Sequence, residues 1–199
     1  MDDDLPLLLA MACAFLGMLV LLAGAPFVIF RWAGRQHEKD LLAWRELARV
    51  HALSFQSRPP RVSGVFEGVP LVVGVLVSGP SGQMAMSTRV RGGPPASGPE
   101  VDWLRVAPRS LASSFALTSP GPALETGDAA FDARFVTHAR DAASARRVLS
   151  DVVRAGLVAL PRDVTLVGTT GAVALAWRGR EPEVPVLEQA CRIVAQALR

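Results

Sequence analysis

The chain of 199 residues has no tyrosine, a single lysine and two cysteines. Cys13 and Cys191 make neither a disulfide framework nor a metal-ligand spacing, and so low a count suits a reducing compartment. Arginine supplies twenty of the twenty-one basic residues. With alanine, glycine and proline also abundant, that bias reads as coding preference before phosphate recognition. No basic run carries interleaved aromatics, so nothing marks the chain for nucleic acid. No cofactor fingerprint is present either: the glycine-rich turn Ser78–Gly82 leads into another strand, whereas a phosphate cradle needs a strand feeding a helix.

The most informative absence is of charge. Leu5–Phe30 runs for twenty-six residues without one ionisable acid or base, and fourteen of them are Leu, Ile, Val or Phe. A bilayer core about 30 Å thick needs roughly 20 apolar helical residues at about 1.5 Å each. The run is therefore expected to cross a membrane and to contact lipid over residues 5–30. Asp2, Asp3 and Asp4 precede it, whereas Arg31, Arg35, Lys39, Arg45 and Arg49 follow. Positive charge stays in the cytoplasm, so the expected placement is a single pass through the inner membrane with the amino terminus outside. Arg31, Trp32 and Arg35 would sit at the membrane interface. A cleaved signal peptide is the rival, because Ala23-Gly24-Ala25 resembles a cleavage site; the acidic start and long apolar run oppose it.

Removing the three amino-terminal aspartates from the net charge of +3 leaves +6 on Arg31–Arg199, a modest excess that suits an anionic leaflet. Residues 1–4 then form a short acidic tail, 5–30 the span, 31–57 a basic juxtamembrane amphipathic helix and 58–199 a soluble domain. In the juxtamembrane segment Leu41, Trp44, Leu47, Ala48 and His51 recur at helical spacing, a stripe that can cover a sheet or meet a partner. Val62–Phe66 and Leu71–Val77 predict a hairpin around Glu67–Pro70, and Met84–Val90 a third strand. Gly92–Pro99 is too rich in Gly and Pro for regular structure. Val101–Val106 predicts a strand carrying Trp103, and Pro108–Pro122 an irregular region.

The densest feature of the remainder is Glu125–Val136. Gly127 permits an unusual backbone angle, Asp128 can accept N–H bonds from a short turn over Ala129–Asp132, and Phe131 and Phe135 would enter the core. Asp128 and Asp132, four apart, are the weak catalytic candidates, as an acid–base or metal pair of a hydrolase or transferase. No histidine or third acid is adjacent, and His37, His51 and His138 fall in different elements. Beyond it, Asp141 predicts a cap for one helix over Ala142–Leu160. A hairpin of Val164–Val167 and Val173–Trp177 and a last helix over Pro185–Leu198 follow, with Cys191 on the inward stripe.

The order of anchor, basic helix, strand meander, the motif Gly127, Asp128, Phe131, Asp132 and Phe135, helix, hairpin and terminal helix resembles a bacterial membrane-anchored protein family of unknown function. The motif, G-D-x-x-F-D-x-x-F, is short and the similarity loose over about residues 40–199. The resemblance implies a bacterial source and an α+β domain, and brings no activity with it. The expected fold is α+β, with one amino-terminal transmembrane helix, then a mainly antiparallel sheet packed with the juxtamembrane helix and two carboxyl-terminal helices. The expected role is a cytoplasmic-facing binding or scaffolding domain with a protein partner at the inner membrane; an extracytoplasmic anchored domain is a further alternative. Sequence leaves the oligomeric state open.

Overall fold

The computed structural model describes residues 41–78, 85–94, 102–111 and 120–199. The acidic tail, the span at 5–30 and the interface residues Arg31, Trp32 and Arg35 lie outside them. So do the start of the juxtamembrane segment and most of the Gly/Pro-rich stretch. Among the described residues no helix is long and apolar enough to cross a membrane.

The fold is α+β and rests on one nine-stranded sheet. Its strands are β1 (Ser54–Ser57), β2 (Pro60–Phe66), β3 (Val69–Ser78), β4 (Ala85–Gly92), β5 (Leu104–Pro108), β6 (Ala123–Leu124), β7 (Phe135–Ala139), β8 (Val164–Thr169) and β9 (Ala172–Arg178). They lie in the order β1-β2-β3-β4-β9-β8-β5-β7-β6, and every neighbouring pair is antiparallel. The helices are α1 (residues 41–50), α2 (Ala129–Arg134), α3 (Ala142–Val148), α4 (Asp151–Ala159) and α5 (Val184–Gln196).

Antiparallel pairing alternates side chains between two faces, and register carries one row across the whole sheet. Phe55, Val62, Val73, Val90, Leu175, Leu166, Val106, Thr137 and Leu124 stand opposite one another in turn. The seven between the two ends are all buried. The helices bury their apolar stripes in the same cluster: Trp44, Leu47 and Ala48 from α1, Val153 and Leu157 from α4, and Leu187, Cys191 and Val194 from α5. The α1 stripe thus covers the sheet, the simpler of the two uses its spacing allowed. Residues 40–199 make one compact unit. A boundary at residue 58 would separate β1 from β2, the strand it pairs with among the described residues.

Several elements differ in detail from expectation. The first hairpin turns over Glu67 and Gly68 alone, both at positive φ (47° and 84°), so Val69 and Pro70 extend β3. The helix expected over Ala142–Leu160 is two, because Leu149 leaves helical geometry (φ −88°, ψ 51°) and Ser150 starts α4. Leu149, Val153 and Leu157 are all fully buried across the break, and Arg154 Nη1 donates to the freed Leu149 carbonyl at 2.5 Å. The short edge strands β1 and β6 have no counterpart in the sequence reading.

Thr137 breaks the pattern of the buried row. It is 2% exposed, and its Oγ1 has no hydrogen-bond partner. Valine has nearly the same shape and no hydroxyl to desolvate, so Thr137→Val should stabilise the protein by about 1 kcal/mol or more, read as a higher midpoint in urea unfolding with an unchanged slope.

Candidate functional site

The motif residues build a corner rather than a pair of facing acids. Gly127 takes φ +82°, which turns the chain so that Asp128 caps α2: its Oδ1 accepts Phe131 N–H at 3.1 Å and its Oδ2 accepts Arg154 Nε at 3.3 Å. Asp132 reaches back, its carboxylate accepting Thr126 N–H at 3.1 Å, Thr126 Oγ1 at 2.9 Å and Gly127 N–H at 3.1 Å. Thr126 Oγ1 in turn accepts Asp128 N–H at 3.3 Å. Each acid thus serves backbone donors at the start of a helix. The Phe131 N–H bond, with Arg154 assisting, holds the Asp128 carboxyl below its ordinary range, the opposite of what a general acid needs.

Below the corner Phe131 and Phe135 are fully buried and stacked, with centroids 5.1 Å apart. Arg134, between them in sequence, closes the far end of α4 by donating to the carbonyls of Val158 (2.6 Å), Leu160 and Arg162 (3.0 Å each). A guanidinium with five donors satisfies several helix-end carbonyls at once. The sequence gives Arg134, Arg154 and Arg162 no role at a site, because each reaches a partner 19 to 28 positions away and no local spacing marks such a contact.

A second polar centre is built around a fully buried acid. Glu181 is 0% exposed, and its carboxylate accepts Arg162 Nε at 3.1 Å, Trp177 Nε1 at 3.1 Å and Glu183 N–H at 3.1 Å. Its carbonyl accepts Trp44 Nε1 at 3.0 Å. One residue therefore joins α1, the end of β9, the start of α5 and the segment before β8. The bonds to Glu181 also raise the Arg162 pKa above its ordinary value.

The remaining candidates are dispersed. His51 Nε2 lies 3.0 Å from Glu188 Oε1, and His138 Nδ1 lies 3.1 Å from the Gly121 carbonyl. Cys191 is buried and its thiol is pushed up to about 12, chiefly by desolvation, so it packs as a small apolar residue. Among the described residues no three His, Cys, Asp or Glu side chains gather to hold a metal. An open cleft of about 290 Å³ lies between the β8–β9 turn and the ends of α3 and α5, with Trp103, Val173, Leu198, Arg147 and Arg199 in its walls. Its two guanidiniums are engaged, Arg147 by Ser144 and Arg199 by Glu67, and the carboxyl ends of two helices offset their charge.

The nine strands carry charge of one sign only. They contain Arg61, Arg89, Arg91, Arg105, Arg178 and His138 and not one acid. Strand parity sets all six opposite the buried row. Arg105 is paired with Asp102 just before its strand.

No family model, curated protein or solved structure matches this chain.

Two outcomes follow from the geometry. Asp128→Ala should lower the melting temperature at neutral pH. The folded pKa is depressed, so the stabilisation is present above the unfolded value of about 3.9 and is lost as pH falls through the lower folded value. The difference between variant and parent should therefore shrink in melts recorded below about pH 4. Arg162→Met should cost about 3 kcal/mol, the low end for stripping a partner from a buried charge, since the guanidinium is itself one-third exposed. Chemical denaturation should show much of that loss recovered in Arg162→Met/Glu181→Gln, which leaves no buried charge.

Proposed function

We propose that this chain is a single-pass inner-membrane protein, amino terminus outside, whose cytoplasmic α+β domain acts by binding. The observation that carries the reading is the uncharged run Leu5–Phe30, with three acids before it and five bases within about twenty residues after it. The resemblance to bacterial anchored proteins points the same way. Two structural features support binding over hydrolase or transferase chemistry. The carboxylates of Asp128 and Asp132 are occupied by backbone donors, and the strands contribute five arginines and no acid to one face of the sheet, which suits an anionic partner. Tethering would supply the mechanism: it confines the domain to a thin shell beside the membrane and raises its effective concentration for partners there.

Fusions at the carboxyl terminus test the placement. A fluorescent protein should be bright and alkaline phosphatase inactive; the reverse would establish the extracytoplasmic alternative. Deleting Met1–Arg31 should leave a soluble, cooperatively melting domain, because the described unit carries its own core. Aggregated or protease-sensitive product from several such deletions would refute independent folding. Crosslinking in intact cells then identifies the protein that co-purifies.

A further inference from the structure

The arginines of the sheet are brought together by register. Arg61 pairs with Gly74, Gly74 with Arg89 and Arg89 with Ala176. Arg91 follows Arg89 two residues along on the same face, and Arg178 lies two residues beyond Ala176, diagonal to Arg89. With strands about 4.8 Å apart, Arg61 and Arg89 stand roughly 10 Å apart across Gly74. That gap is open: a Cβ built on Gly74 would meet no atom within 4 Å. A glycine inside a strand weakens it and commonly marks a close approach to the backbone. Arg61 and Arg178 are exposed, and Arg89 and Arg91 half-buried, Arg91 donating to the Pro94 carbonyl at 2.8 Å. A hydrogen bond to a carbonyl leaves the Arg91 guanidinium its charge. The same face presents Val65 and Leu76, 64% and 43% exposed.

We infer that this face, centred on Gly74, docks on the anionic phospholipid headgroups of the membrane that holds the chain; the inference rests on the tethered reading above and names the surface that domain meets. The sign of the charge selects an anion. Four arginines spread from β2 to β9, three strand spacings or about 14 Å, fit an array of phosphates better than a single small anion. Aliphatic side chains among the bases favour a bilayer interface, where both are accommodated. Each base close to an anionic leaflet strengthens attachment roughly fivefold.

The test uses the full chain carrying Val65→Cys in nanodiscs, with the rate of maleimide modification as readout and the parent chain as the background from its own cysteines. In discs containing about a third phosphatidylglycerol at low salt, modification should be several-fold slower than in phosphatidylcholine discs. High salt should erase the difference. Arg61→Gln/Arg178→Gln, both exposed positions, should lose a large part of the protection, and adding Arg89→Gln most of the rest. Equal rates in the two lipids, or protection that persists in the triple variant with its circular dichroism unchanged, would overturn the assignment. So would equal protection by polyglutamate in phosphatidylcholine discs, which would give the face to an acidic protein. The fusions report orientation whatever the lipid, so a wrong placement and a wrong docking face give different results.

Discussion

A sheet buried on one face is the constraint from which the rest of this structure follows. Once Val62, Val73, Val90, Leu175, Leu166 and Val106 stand in one row, burying that row requires a cover, and the amphipathic stripes of α1, α4 and α5 supply it. At about 25 cal/mol per Å², burial on this scale dominates what holds the domain together. The period of two then sets the arginines at the alternate positions, where Arg61 and Arg178 are exposed and Arg89 and Arg91 half-buried. The basic face is thus the other side of the same alternation that makes the core.

The polar groups show how the ends of elements are held where burial alone cannot fix them. Asp128 and Asp141 each accept N–H groups at the start of a short helix, and Arg134 gathers three carbonyls around the end of α4. Glu181 does the same for the junction of α1, β9 and α5. Its carboxylate is expensive to desolvate unless several donors reach it, and Arg162, Trp177 and the Glu183 N–H do so. The conspicuous acids of the sequence are accordingly part of the scaffold.

Much of the fold was legible because its signals are local. Alternation in Val62–Phe66, Leu71–Val77 and Val173–Trp177 marked strands, and Leu187, Cys191 and Val194 at helical spacing marked α5. Asp128 and Asp141, standing before short runs of good helix formers, marked caps. The strands β1 and β6 were not legible, because Ser54–Ser57 is mostly polar and Ala123–Leu124 is two residues long; each exists only by pairing with a neighbour. The break at Leu149 was hidden by an apolar stripe that continues through it. Glu181 was missed for a simpler reason: its partners Arg162 and Trp44 are 19 and 137 residues away.

The sequence by itself determined the α+β class, the antiparallel hairpins, the starts of α2, α3 and α5 and the uncharged amino-terminal run, since each depends on residues within one turn or one strand of each other. Only the tertiary structure decided that β9 lies beside β4 and β8 beside β5, that Glu181 ties α1 to α5, and that arginines from three strands, β2, β4 and β9, gather around Gly74. Those outcomes depend on which strand edges meet. Pairing of distant segments is set by how the whole apolar row packs beneath the helices, and no stretch of sequence carries that information alone.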